Sequence, residues 1–302
     1  MLNLTGLGRR PLLTAALGAA CIASSGVLVR LSEATPVTVA IFRCLYALPV
    51  LGAITLYEQK RHGPLSARAR KLGWIAGFFF TVDLILWHNA IDAVGAGLAT
   101  VLGNMQVLLV GFVAWLVLKE RPHRSLFAAI PVMLGGVVLI SGVIGQGAYG
   151  KDPALGVILG LGTSVAYAVF ILVLRQGSSD LARIAGPLFH ATLSSALFSG
   201  LFGLLTGSAD WGLEWPGHGW LVALALTAQV LGWLLISSSL PRLPAAVTSV
   251  VLLLQPVGAM VLAAVVVNER PSLAQLAGAI AILAGVVIAT AAHRGPQPVP
   301  VQ

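Results

Sequence analysis

The chain is 302 residues long, with 58% hydrophobic and only 9% charged residues, against roughly a quarter charged in soluble globular proteins. Mean hydropathy is +0.94, and so little charge cannot cover a water-facing surface, which excludes an ordinary soluble domain. The net charge of +8 does not point to nucleic acid, because the basic residues are scattered through short connections between apolar runs.

A membrane-crossing helix needs about 20 mostly apolar residues. Ten such runs follow in chain order: 12–30, 36–57, 72–91, 96–118, 125–144, 153–175, 184–206, 219–238, 245–267 and 272–292. Open backbone cannot face lipid, so runs this long and apolar are expected to be helices. Before the first, Arg9-Arg10 has the look of a signal peptide, and Leu17-Gly18-Ala19-Ala20-Cys21 that of a lipoprotein cleavage site. Gly18 stands where that site expects Leu, and nine more runs follow, so the first is taken as an uncleaved helix. Cys21 and Cys44 both lie inside runs and read as small apolar residues, with no disulfide framework or metal spacing. After the tenth run, 293–302 contains Gly295-Pro296-Gln297-Pro298 and is expected to be a disordered cytoplasmic tail.

Alternating the spans from a cytoplasmic N-terminus places 14 of the 18 Lys and Arg residues inside. Three fall outside, Arg30, Lys151 and Arg270, and Arg43 lies within a span. That asymmetry follows the positive-inside rule. It predicts a multi-pass cell-membrane (inner-membrane) protein with both termini cytoplasmic.

Two stretches match at an offset of 149 residues. Gln106 pairs with Gln255, Glu120-Arg121-Pro122 with Glu269-Arg270-Pro271, and Gly136-Val137-Val138 with Gly285-Val286-Val287. Asp83 and Trp87 align with Gln229 and Trp233 at a slightly different offset, both pairs spaced by four. The fold expected is therefore an all-α integral membrane protein of ten transmembrane helices in two five-helix repeats, 12–144 and 153–292. Five is odd, so the second repeat enters from the opposite side and the pair is inverted, a plan that puts the site near the midplane.

The residues Leu98-Ala99-Thr100-Val101-Leu102 through Gln106 and Leu118-Lys119-Glu120-Arg121-Pro122 resemble the drug/metabolite transporter superfamily, in its EamA branch. So do Ala245-Ala246-Val247-Thr248-Ser249 through Gln255-Pro256, then Val267-Asn268-Glu269-Arg270-Pro271, and Phe42-Arg43. The likeness spans roughly 12–292. It implies transport of metabolites and a central cavity formed by helices 1, 3, 4, 6, 8 and 9, with helices 5 and 10 mainly structural. Small proton-coupled relatives carry a Glu in their first helix, whereas 12–30 holds only Arg30 as a charge.

An Asp at mid-bilayer costs about 2.5–3.5 kcal/mol and is normally turned inward. Asp83 is the twelfth residue of its run, and Gln106, Gln229 and Gln255 are each the eleventh of theirs. All four fall near the midplane as two symmetry-related pairs and are the candidate substrate-binding set. Trp87 and Trp233 share their faces with Asp83 and Gln229 and are expected about 6 Å either side of centre as walls or gates; plain helix packing is the alternative. Asp83 is the candidate proton or cation site, against a structural hydrogen-bond role. His88 is the second candidate for proton coupling, although it lies about 140° round the helix from Asp83 and pairs more readily with Asp92 near the outer boundary. Arg43, about 10 Å inside the outer end of its helix, is expected to snorkel outward or bond carbonyls, with His190 as its counterpart. Asn104 is about 200° from Gln106, so Gln106 is preferred for the cavity.

Gly73/Gly77, Gly156/Gly160 and Gly203/Gly207 are spaced for close helix approach, and Pro49, Pro131, Pro187 and Pro256 are expected to interrupt spans. No phosphate-binding loop, His-Glu-x-x-His or Gly-x-Ser-x-Gly occurs. The expectation is a non-enzymatic secondary transporter exporting small metabolites, amino-acid-like or otherwise amphipathic, by alternating access. No cofactor, metal or nucleic acid is expected; the partners are a small-molecule substrate and the lipid bilayer, with the chain a monomer or homodimer. A membrane-embedded enzyme and a structural scaffold are the alternatives.

Overall fold

A computed structural model describes residues 11–106, 108, 109, 124–144, 148–178, 180, 182–239 and 251–291. Among them all regular structure is helical. We label the helices α1 (Pro11–Ser32), α2 (Pro36–His62), α3 (Ala67–Val94), α4 (Ala96–Gly103), α5 (Arg124–Ile140), α6 (Pro153–Gly177), α7 (Ala185–Thr206), α8 (Gly217–Ser239), α9 (Leu254–Val266) and α10 (Leu273–Ala291). Six of these, α1, α2, α3, α6, α7 and α8, are long and apolar enough to cross a membrane; α5, α9 and α10 contain shorter apolar stretches. Each lies within or over one of the apolar runs. Leu118-Lys119-Glu120-Arg121-Pro122, Ala245-Ala246-Val247-Thr248-Ser249 and the tail 293–302 lie outside the described residues.

Local sequence sets the helix ends. Pro36 and Pro153 occupy the first helical turn, where no amide hydrogen is needed. The side chains of Thr35, Ser66 and Asp152 cap α2, α3 and α6 by accepting from Thr38, Ala69 and Leu155. Both α2 and α3 run past their apolar stretches, because hydrogen bonding continues through Lys60, Arg61 and His62 and through Arg68, Arg70 and Lys71. Hydropathy marks the lipid-matched part of a helix, not its last turn. Helices run through Pro49 and Pro131. Pro187 is a correction to expectation: it sits in the first turn of α7, where proline is tolerated, and interrupts nothing.

The packing of α1–α5 against α6–α10 is reciprocal. The most extensive contacts are α3 with α6 and α5 with α10, followed by α2 with α7 and α3 with α7. Further pairs are α4 with α9, α1 with α8 and α2 with α8. Exchanging α1–α5 for α6–α10 converts this set into itself. Small residues permit the approach. A Cβ on Gly77 would collide with the Ala191 carbonyl of α7, and one on Gly136 would meet the Gly278 carbonyl of α10. Gly203 packs against Val37 and Ile41 of α2, but Gly207 faces open space and ends α7 with φ 65°, so only the first of that pair is a packing glycine.

Connections fall at the two ends as the alternation of spans requires. Arg30, Asp92, Gly95, Tyr149 and Lys151 line one pocket at a single end. Glu58, Pro64, Arg183 and Ala185 meet at the other. Large apolar side chains on the periphery are left open, among them Ile158 at 66% and Leu205 at 78% exposed. That surface suits lipid and not water.

Candidate functional site

A cavity of about 80 Å³ lies within the bundle. The residues along one face of α3 line it: Phe80, Asp83, Leu84 and Trp87, at helical spacing. From α1 come Ile22 and Ser25, from α4 Thr100 and Gly103 with Asn104 and Gln106 just beyond its end, from α6 Thr163 and Tyr167, from α8 Trp233 and from α9 Gln255. These are the six helices that the resemblance implies. A seventh, α2, contributes Arg43.

The backbone is irregular in four of these helices at the level of the cavity. In α1 the helix breaks at Ser24, where the hydroxyls of Ser24 and Ser25 donate to the Cys21 and Ile22 carbonyls at 2.7 and 2.6 Å. Such back-bonding bends helices. After α4, Asn104 and Met105 donate to carbonyls three residues back, each at 3.0 Å, so the chain tightens there. Ser164 of α6 donates to the carbonyls of Leu102 and Gly103 at 2.9 and 3.3 Å. It thereby ties the tightened turn to α6. Just before α9 the helical run breaks at Leu253, 149 residues on from Asn104, and Gln255 and Pro256 follow it. In α8, Ala225–Gly232 is wound as a π-helix. Irregular backbone at membrane depth is tolerated where it lines a cavity, and π segments concentrate at functional sites.

Of the residues singled out in the sequence, Asp83, Trp87, Gln106, Trp233 and Gln255 meet around this cavity. Gln229 does not line it. Its side chain is fully buried toward α7, and its Nε2 donates to Thr192 Oγ1 at 3.1 Å. The reason is the π-helix: with bonds five residues apart, residues spaced by four no longer stack, so Gln229 and Trp233 face differently. The two tryptophans flank a common cavity, and Trp233 sits edge-on to Phe170 at 5.3 Å and to Tyr167 at 6.1 Å. His88 also lies apart from Asp83. It is 1% exposed, its Nδ1 donates to the Pro36 carbonyl at 3.0 Å, and it lines a separate vestibule of about 710 Å³ with Arg30, Glu33, Asp92 and Lys151.

Sequence reasoning passed over Arg43 and Asn104. Arg43 does not snorkel: it is 3% exposed, and its Cζ lies 5.8 Å from the Phe80 ring centroid, a cation–π distance. Asn104 lines the cavity together with Gln106, at a turn whose i→i−3 bonds depart from the ideal helix that would set them apart. The signal for Arg43 was present, since a charge inside a span is by default a functional candidate. Three buried polar atoms of lining residues have no hydrogen-bond partner among the described residues: Arg43 Nε, Gln106 Oε1 and Thr163 Oγ1. Unmade bonds of this kind are rare in a finished interior.

At the end where the vestibule opens, the Glu269 carboxylate accepts from the Ala96 and Gly97 amides at 2.7 and 3.1 Å. Gly95, with φ 92°, makes the turn from α3 into α4 there, and a Cβ on it would strike the Glu269 carboxylate. Burial, with the Glu269 carboxylate nearby, holds the Tyr149 hydroxyl above its ordinary range.

The sequence model of the EamA-like transporter family matches residues 9–142 and again 154–291. The chain is 23% identical over 263 residues to the "Uncharacterized transporter YwfM" of Bacillus subtilis (strain 168), covering 87% of this chain and 86% of that one. It is 23% identical over 230 residues to the "Uncharacterized transporter YetK" of the same organism, covering 74% and 67%. A solved crystal structure shares the fold, with a TM-score of 0.64 over 93% of this chain and 98% of that one, at 18% identity.

Proposed function

The chain belongs to the EamA-like transporter family, and from that premise we propose that it is a secondary transporter exporting small, amphipathic, amino-acid-like metabolites by alternating access. The observation that carries this is a cavity within an apolar bundle into which Arg43, Asp83, Asn104, Gln106 and Gln255 converge from both α1–α5 and α6–α10. Ten spans, in two inverted repeats over 12–144 and 153–292, account for the doubled family match and the reciprocal packing. The Lys and Arg asymmetry orients both termini to the cytoplasm and the vestibule to the outside.

Asp83, Gln106 and Gln255, with Trp87 and Trp233 as walls, form the proposed binding set, and Gln229 supports it from the α7 side. Asp83 is the proposed proton-exchange group, and His88, apart from it in the vestibule, the second proposed proton-coupling residue. A cavity of about 80 Å³ is below the roughly 300–1,000 Å³ of small-ligand sites. Cargo therefore enters only as the walls part, and the four backbone irregularities supply the points of bending.

The test is reconstitution in liposomes with a metabolite panel, with and without a pH gradient. At least one solute should move faster than through protein-free vesicles, and Asp83→Asn should abolish the effect of the gradient. A panel on which no solute moves overturns the transport reading. An unchanged pH response in Asp83→Asn removes the proton role alone.

A further inference from the structure

Arg43 and Asp83 are of opposite charge, lie on neighbouring helices α2 and α3, and line the same cavity. They are 3% and 6% exposed. They are close enough to interact electrostatically, yet no ion pair joins them among the described residues. A buried cation and a buried anion with no ligand to hold would be expected to pair directly, since each is costly without a partner. Here the Arg43 Nε is buried with no hydrogen-bond partner, and the guanidinium rests against the Phe80 ring.

We propose that the cavity is built for a zwitterion, with Arg43 taking the cargo's carboxylate and Asp83 its ammonium group. The proposal rests on the transport reading above and names its cargo class. Guanidinium and carboxylate are geometrically matched for paired hydrogen bonds. An ammonium group with three donors suits a carboxylate supplemented by amide oxygens, and the Gln106 Oε1 lacks a partner. Cargo of a single charge would leave one buried protein charge unmatched. An uncharged cargo would leave both so. The aromatic rings of Trp87 and Trp233 leave apolar room for a side chain between the charged ends. Asp83 can also exchange protons, because a proton and an ammonium group compete for one carboxylate.

The experiment uses the full chain in proteoliposomes, with counterflow of L-serine, L-leucine, L-phenylalanine and L-tryptophan. Uridine and D-xylose serve as uncharged solutes. For each amino acid that moves, the amine lacking its carboxylate and the acid lacking its ammonium group are added as competitors. The expected result is that one or more zwitterions move and that both single-charge analogues compete about tenfold or more weakly, the worth of one charge-assisted bond. Arg43→Gln should weaken the zwitterion by a similar factor without weakening the amine's competition; Arg43→Lys should restore part of the loss. Movement of uridine or xylose but of no zwitterion overturns the proposal and leaves the transport reading standing. Movement of nothing overturns both. Analogues that compete as well as their parent overturn it too, and that arm needs only the unmodified protein, so it decides the matter even if an Arg43 variant fails to accumulate.

Discussion

Two glutamates at opposite ends of the bundle perform the same local act in different surroundings. Glu269 follows α9 and accepts from the first amides of α4; Glu58 lies near the end of α2 and accepts from the first amides of α7, Ala185 at 3.0 Å and Gly186 at 3.2 Å. A carboxylate at a helix start is favourable because the amides there lack intrahelical acceptors and carry partial positive charge. The Glu269 side chain is only 1% exposed and has the Arg30 guanidinium 3.9 Å away, whereas Glu58 is half-buried. One chemical device therefore makes a dry seal at the vestibule end and a wet tie at the other. Where water can replace a lost carboxylate, its removal is cheap; where water is excluded, the amides stay unsatisfied.

The largest effect follows from the dry site. Glu269→Ala strands two buried amides and an arginine, and should lower stability by about 3 kcal/mol, seen as a lower apparent melting temperature of the full chain in detergent. Glu269→Gln should fall in between, since one amide oxygen can still accept. If Glu269→Ala melts with the parent, the seal contributes nothing and the comparison collapses.

Glu58→Ala comes next, at about 1 kcal/mol, the ordinary worth of a helix cap with water at hand. The same melting measurement checks it. A loss at Glu58 as large as that at Glu269 would show that solvent access does not separate the two sites.

Sequence foresaw little of this, although it singled out the Glu-Arg-Pro triplet that contains Glu269. It saw the triplet as a mark of repetition, because what Glu269 binds is a backbone 173 residues away, and amides have no signature in sequence. The helices themselves were legible because lipid demands long apolar runs. So was the convergence of Asp83, Gln106 and Gln255, because depth along a span can be counted. Angle around a helix could not be counted where the helix departs from 3.6 residues per turn. The π-helix in α8 turned Gln229 away from Trp233, and the tightened turn after α4 brought Asn104 beside Gln106. Both errors fall at the cavity, where the backbone is irregular. Arg43 escaped for another reason: a long side chain in a span can reach the interface or the interior, and its sequence neighbours do not decide which.

The smallest predicted effect sharpens the comparison most. Arg30 is the cation beside Glu269, but its side chain is 32% exposed and the contact is long. Its guanidinium also lies near the Tyr149 hydroxyl. Ion pairs open to water contribute at most about 1 kcal/mol, so Arg30→Gln should cost well under the loss at Glu269 and should shrink further in high salt. Were Arg30→Gln to match Glu269→Ala, the seal would be an ion pair and its strength would belong to charge neutralisation. A small, salt-sensitive loss assigns that strength to the two amides of α4, which makes Glu269 a helix cap that happens to have a cation for a neighbour. The double variant separates the terms: once Glu269 is removed, Arg30→Gln should cost less than it does in the parent, because the charge it balanced is gone.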